Sequence, residues 1–401
     1  IKMTVSGHIR KRVGKNNNIS YQIIIELPVN PNNGKRNRIY KTVNGTKKQA
    51  EKTMRTMMEE LEGQTYVKEN KLTVGEWTMK WFSMYLKNLS PTTLQGYEYQ
   101  IKNYVLPDRI ASIYIQDLTT SDVQKWINKL SEESPVSHKA MSGKSVKNIY
   151  HNLSAAMDKA VELDLVKKNV CKYVNLPKVT RYQAEVYDEK EIEKLILVAE
   201  GTDMELLIMI DVSMGLRRGE LLGLKWKHID FENKLVHIEE NMVEVKSTVD
   251  STRTITKAPK SQSGNRVIPI SDSLCTYLKN AKKQYLEQMM KSGRLWSNEG
   301  YVICQPDGKP YKPASISKKF NKFLKDNNLK HIRLHDIRHT NATLMLKEGI
   351  SPKVAQMRLG HSDFSTTMNI YSHVLKSVET SAAEAIETFI FDKAKATVGN
   401  P

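Results

Sequence analysis

Cysteine is almost missing from this chain. The three present in 401 residues, Cys171, Cys275 and Cys304, lie far apart, in neither a disulfide framework nor a zinc-ligand spacing. A reducing cytoplasm is therefore expected. Long apolar runs are lacking too, so no segment reads as a membrane span. The opening IKMTV shows no charged-then-apolar leader pattern, and its lack of an initiating methionine carries no functional weight. Internal repeats and low-complexity tracts are also absent. Acidic residues are scarce where it matters most. The first fifty positions hold eleven Lys or Arg and a single acid, Glu26, within a chain whose net charge is +18. A block this lopsided draws polyanions by counterion release, although any one of its clusters could be a solvated face.

What is present suggests several domains, since 401 residues exceed one ordinary core. Inside the basic block, HIRKRVGKN, ISYQIIIELPV and RIYKTVNG read as three short strands separated by Asn- and Gly-rich turns. A helix follows, with Thr46 and Gln49 as a capping box, an apolar stripe of Ala50, Met54, Met57, Met58 and Leu61, and Gly63 as its stop. From Leu72 the chain reads as all-helical. Val74, Trp77, Trp81 and Tyr85 recur at helical spacing, Ser90-Pro91 starts another helix, and Val146, Ile149, Leu153, Met157 and Ala160 form one face of a third. NLPKVTRYQAEVYDEKE lacks periodicity and reads as a linker before a helix opened by Asp188 and Glu191. Beyond it, helices alternate with hairpin-like strands, KLVHIEE, NRVIPI and YVICQPDGKPY, the last around an Asp-Gly turn. After Pro313 the pattern is nearly all helix. The expected fold is thus multidomain: a small α+β N-terminal domain of three strands and a helix, an all-α domain, and a mainly α domain with a small antiparallel sheet.

Four stretches carry candidate chemistry. In MGLRRGELLGLKW, Gly215 breaks one helix and Glu220 begins another, leaving Arg217 and Arg218 near a helix N-terminus that favours an anion. Taken singly, such a pair is usually a surface ion pair. In TKAPKSQSGNRVIPI, Lys260 sits on a Ser- and Gly-rich turn, which taken singly is a solvated tip. In LHDIRHT, helical spacing puts His335, Arg338 and His339 on one face. A dication would want the histidines and reject the arginine; a phosphate would use the arginine and one histidine. In SPKVAQMRLGHSDFSTTMNIYSHV, Ser351-Pro352 starts a helix bearing Val354, Met357 and Leu359. Gly360 ends it ahead of His361. Ser365 and Thr366 cap a further helix, which carries Tyr371 ten residues after His361. A lone Tyr there is most often half-buried core.

In this order and spacing, GLRRGELLGL, PKSQSGNRVIP, HDIRHTNATLML and LGHSDFSTTMNIYSHV resemble the catalytic boxes of the tyrosine recombinases, or phage-type integrases, of temperate phages and conjugative transposons. The resemblance implies that Arg217, Lys260, His335, Arg338 and His361 surround a scissile DNA phosphate and that Tyr371 attacks it. The product would be a 3′-phosphotyrosyl bond, made and resealed without metal, cofactor or ATP. Two guanidinium forks suit the non-bridging oxygens. Lys260 is the implied general acid, His335 would help take the tyrosine proton, and His361 would donate to the phosphate. Arg217 is preferred to Arg218 because it follows Gly-Leu. Lys260 is preferred to Lys257 by the alignment of its turn, where Ser261 replaces the family's usual threonine. Glu220 matches a frequent acidic position and would hold an arginine.

The same resemblance implies an arm-type DNA-binding domain over 1–66, with Arg10, Lys11, Arg12, Lys35, Arg36 and Arg38 as DNA contacts. A helical core-binding domain would span 72–176, a linker 177–186 and the catalytic domain 187–374. The tail 375–401 has Val378, Ala382, Ile386 and Phe389 at helical spacing, a stripe expected to dock on a neighbouring protomer, with covering the chain's own core as the alternative. Implied partners are double-stranded DNA at core and arm sites, a homotetramer in synapsis and a possible directionality factor, in a bacterial cytoplasm with no membrane. Two rival readings stand beside this one. His335, His339 and His361 could ligate a metal, although Arg338 would repel it. The stretch 351–371 could be a helix-turn-helix of a non-catalytic regulator.

Overall fold

The computed structural model of the chain describes residues 5–14, 18–29, 36–63, 66–180, 185–246, 252–257, 264–364, 368 and 387. It divides into two compact units, Ile1–Arg181 and Tyr182–Pro401.

The first unit opens with β1 (Ser6–Val13), β2 (Ile19–Val29) and β3 (Arg36–Val43), an antiparallel sheet in the order β1-β2-β3, backed by α1 (Lys47–Glu62). Strand alternation sends Ile23 and Ile25 inward onto Met57 and Leu61 of α1, all buried. Thr46 and Gln49 close the helix start reciprocally, contributing about 1 kcal/mol. The rest of the unit is helical: α2 (Val74–Tyr85), α3 (Pro91–Gln100), α4 (Thr120–Glu132) and α5 (Gly143–Glu162). α3 runs on into a π-helical turn over Ile101–Val105, where the Leu106 amide reaches back five residues to Ile101. Trp77, Trp81 and Trp126 fill the core against Ile149, Leu153 and Met157 of α5. Two indoles find carbonyls inside it, Trp77 at Ala156 (2.7 Å) and Trp126 at Tyr104 (3.0 Å). Tyr85, expected on the apolar stripe of α2, is exposed at the end of that helix, with the Lys159 ammonium over its ring.

The second unit begins with α6 (Glu189–Ala199), whose Asp188–Glu191 capping box forms, then α7 (Glu205–Met214) and the short α8 (Arg218–Gly223). A three-stranded sheet, β4 (Ile229–Asp230), β5 (Leu235–Ile238) and β8 (Arg266–Pro269), lies beside a separate hairpin of β6 (Asn241–Lys246) and β7 (Thr252–Lys257). Then come α9 (Asp272–Ser292), α10 (Pro313–Asp326), α11 (Leu334–Lys347) and α12 (Pro352–Leu359). One large apolar core joins α6 to α10, the β4-β5-β8 sheet and the start of α11. Two expectations are corrected. YVICQPDGKPY forms a turn with single bridges, Cys304 to Pro310 and Tyr301 to Lys225, in place of a strand pair. Val354 and Met357 on α12 are exposed, because only Ala355 and Leu359 of that helix turn toward α11. Among the described residues, no helix is long and apolar enough to cross a membrane.

Candidate active site

The chemistry-bearing side chains of the second unit meet where α7, α8, β8, α11 and α12 approach one another. α7 stops at Gly215, which adopts the left-handed conformation (φ 61°). A Cβ there would lie 2.7 Å from both Asn341 Oδ1 and Leu359 Cδ2, so backbone and packing both require glycine. The break makes Arg217 the first flanking residue of α8, and Glu220 folds back onto it. The Glu220 carboxylate accepts from the Arg217 amide (3.0 Å) and from Arg217 Nη1 (2.6 Å). Arg218 turns the other way, donating to Ser317 Oγ (3.0 Å) at the surface.

Arg338 lies one helical turn after His335 on α11 and is buried. Its fork donates to Gly215 O (2.8 Å) and Leu359 O (2.6 Å). Arg217 Nη2 donates to Gly360 O. A third arginine, Arg266 at the start of β8, donates through Nε to Arg358 O (2.8 Å) and through Nη2 to Glu220 Oε2 (2.9 Å). Three successive carbonyls at the end of α12, those of Arg358, Leu359 and Gly360, therefore each receive a different guanidinium. The last carbonyls of a helix lack intrahelical partners and sit at the negative end of its dipole, so cations gather there. Gly360, left-handed like Gly215, then turns the chain so that His361 follows directly, with its amide on Gln356 O (3.1 Å).

Electrostatics sets the protonation states. Burial pushes Glu220 up, but Arg266 and Arg217 outweigh it and hold the carboxyl below its ordinary range. Burial, then Arg338 and Arg217, drives the His361 imidazole down to about 3. His335 falls to about 4, through loss of hydration, then His339 and Arg338. Both histidines are thus neutral at pH 7. Arg338 is shifted down by burial and by Arg217, yet a guanidinium remains charged at neutral pH. The buried Asp211 behind it on α7 is raised well above the carboxylate range by burial, and its Oδ1 has no hydrogen-bond partner among the described residues. His335 and His339 meet edge to face with ring centroids 5.2 Å apart. Among the described residues, no three His, Cys, Asp or Glu side chains are grouped to hold a metal.

Arg217, Glu220, Arg338 and His361 are thus gathered into one cluster, with His335 one turn from Arg338 on α11. Lys260, Tyr371, Ser261, Ser365, Thr366 and the stripe Val378–Phe389 lie outside the described residues, as does Lys35. Lys257 ends β7, with its backbone paired to Asn241. Sequence reasoning passed over Arg266, Arg358 and Asp211. An arginine opening a strand such as NRVIPI looks like a solvated end, and its only signal was the apolar run behind it.

The basic sheet of the first unit presents a second candidate surface. Alternation places Arg10 and Arg12 on the face away from α1, opposite Gln22 and Ser20 of β2, and Arg38 and Tyr40 on the same face of β3. Lys11 alternates to the helix side. Glu26 takes Arg38 (2.7 Å) and, beyond a register shift, Arg36 (3.7 Å), so part of this charge is internally compensated.

Three guanidinia and a neutral imidazole drawn together in this way have the charge and hydrogen-bond donors that suit a tetrahedral anion. Comparison with known proteins sharpens that class. Residues 185–377 match the phage integrase family model, and residues 73–131 match the phage integrase N-terminal SAM-like domain; together they span more than half of the chain. Among curated relatives, a tyrosine recombinase XerC-like protein of Caldanaerobacter subterraneus subsp. tengcongensis is 28% identical over 356 residues, covering 85% of this chain and 89% of that one. The ICEBs1 integrase of Bacillus subtilis is 26% identical over 382 residues, covering 94% and 100%. Among solved structures, the Tn1549 transposon integrase in complex with transposon right end DNA superposes with a TM-score of 0.66 at 22% identity, covering 79% of this chain and 99% of that one. The chain belongs to the phage integrase family and is a tyrosine recombinase, an enzyme of site-specific DNA cleavage and rejoining.

Proposed function

We propose that the arginine cluster of the second unit is the cleavage site and that Tyr371 is its nucleophile. The observation that carries this reading is the convergence of Arg217 and Arg338 on the carbonyls of Gly360 and Leu359, directly ahead of His361, which lies ten residues before Tyr371. The Tyr371 phenol oxygen attacks phosphorus, losing its proton, and the 5′-oxygen leaves, giving a 3′-phosphotyrosyl bond. Its proton goes to His335, which is neutral at pH 7 and able to accept it. Lys260 supplies a proton to the departing 5′-oxygen. Arg217 and Arg338 offset the charge that builds on the non-bridging oxygens, and the neutral His361 donates a ring N–H to one of them. Rejoining reverses these steps with a new 5′-hydroxyl, so the phosphoester energy is retained and no nucleotide is consumed.

Residues 1–66 form the arm-type domain in this reading, with the Arg10, Arg12 and Arg38 face of the sheet laid into a major groove. The helices of 72–176 and the domain 187–374 hold the core site, with 177–186 as linker. Four protomers act together in synapsis, the tail 375–401 docks on a neighbour, and a directionality factor selects excision. The setting is the bacterial cytoplasm, at the nucleoid when DNA is bound. The test is covalent trapping: protein in chelator, without ATP, on nicked DNA spanning the ends of its own element, read on a denaturing gel beside Tyr371→Phe. An adduct lost in the variant supports the reading. Retarded DNA with no adduct from either protein points to the non-catalytic regulator.

A further inference from the structure

We infer that Arg266 is a positioning residue for strand cleavage, the tie that fixes Arg217 through Glu220 and anchors the chain leading to His361. The inference rests on the cleavage-site reading above. The Arg266 side chain is largely covered and reaches three separate segments. Nη2 meets Glu220 Oε2 on α8 at 2.9 Å, Nε meets Arg358 O on α12 at 2.8 Å, and Nη1 meets Gly264 O ahead of β8 at 3.4 Å. A buried carboxylate needs two good partners to stay ionised, and Glu220 has Arg266 on one oxygen and Arg217 on the other.

The geometry distinguishes Arg266 from its neighbours. Arg217 keeps about a third of its side chain exposed, free to meet an incoming phosphate, whereas Arg266 is only 8% exposed and faces protein on each side. It therefore contacts no substrate atom. Its planar fork sets the spacing between α8 and the end of α12, the two segments that present Arg217 and His361. Gly264 lies four residues after Lys260 in sequence, and the same side chain also fixes the backbone that enters β8 there. A lysine at 266 has one ammonium and cannot span three acceptors in fixed directions.

The experiment uses the full-length protein with Arg266→Lys and Arg266→Gln on nicked core-site DNA. The single-turnover rate of Tyr371 adduct formation is measured at saturating DNA beside the dissociation constant and the melting temperature. Each variant is also tested on a methylphosphonate at the scissile position, where a methyl replaces the charged oxygen that Arg217 would neutralise. The expected result is a rate reduced roughly 10- to 100-fold with DNA affinity changed less than about twofold, and a defect at least about fivefold smaller on the methylphosphonate. Arg266→Lys retains a positive partner for Glu220 and keeps the test valid if Arg266→Gln fails to fold. Wild-type rates in Arg266→Lys, or an equal defect on both substrates, would overturn the inference. A wild-type protein that forms no adduct on bound core DNA would instead sink the cleavage-site reading itself.

Discussion

Removing the charge of Glu220 is the most informative single perturbation of the site. The carboxylate is 2% exposed and lies between Arg217 Nη1 (2.6 Å) and Arg266 Nη2 (2.9 Å), with Arg338 close behind. Burial pushes Asp211, behind Arg338, well above the carboxylate range, whereas Glu220 is held below it and directly pairs two of these guanidinia. Breaking a buried pair from one side costs about 3–5 kcal/mol, because the partner charges stay buried. Glu220→Gln keeps one acceptor oxygen, worth about 1 kcal/mol, so the net loss is roughly 2–4 kcal/mol. For a unit of this size that corresponds to a melting temperature lowered by about 5–15 °C. The assay is thermal unfolding of wild type and Glu220→Gln in chloride, and in sulfate at matched ionic strength. Sulfate supplies the missing negative charge and should narrow the gap. The pH dependence gives a second check. A carboxyl held below its unfolded value adds stability that is full above that unfolded value and is lost as pH falls through the folded one. Wild type and variant should therefore converge in acid. A melting shift under about 2 °C at neutral pH, or a gap that sulfate and acid leave untouched, would refute this electrostatic view.

Further outcomes follow from the same geometry. Arg338→Lys cannot reach both Gly215 O and Leu359 O, so adduct formation should fall by roughly 10²–10³, read as single-turnover cleavage, while DNA binding persists. His361 is depressed to about 3 and His335 to about 4, so the unfolded chain takes up their protons first as pH falls below about 6.5. Stability should therefore decline from about pH 6.5 toward 3, and His361→Gln should flatten that decline in a melting series; an unchanged slope would contradict the depressed imidazole. On the basic sheet, Arg10→Ala with Arg12→Ala should lower the slope of log affinity against log salt by about 2 on DNA carrying arm sites. The equivalent loss from Lys11→Ala should be smaller, because Lys11 alternates to the helix side.

Local signals wrote the helices plainly. Thr46 with Gln49, Ser90 with Pro91 and Asp188 with Glu191 each open a helix where their side chains predict it. The β6–β7 hairpin was not legible, because its connection, STVDS, has none of the Asn-Gly or Asp-Gly chemistry that marks a tight turn. Val354 and Met357 misled for a different reason. They lie at helical spacing, yet α12 is so short that Ala355 and Leu359 suffice to seat it. In the site, motif spacing picked out Arg217, Arg338 and His361, but the part played by Arg266 lies in contacts with residues 46 positions before and 92 after it. Such an arrangement has no local pattern to read. Likewise, Asp211 in an apolar helix gives no hint that burial will push its carboxyl up behind Arg338.

The most direct test of the cleavage chemistry is to identify the residue that carries the DNA. Adduct trapped on nicked core-site DNA would be digested with protease and nuclease, and the nucleotide-bearing peptide sequenced by mass spectrometry. The expected result is a 3′-nucleotide on Tyr371 within the peptide that follows His361, formed in chelator and absent from Tyr371→Phe. A nucleotide on any other tyrosine, on a serine or on a histidine would contradict the assignment.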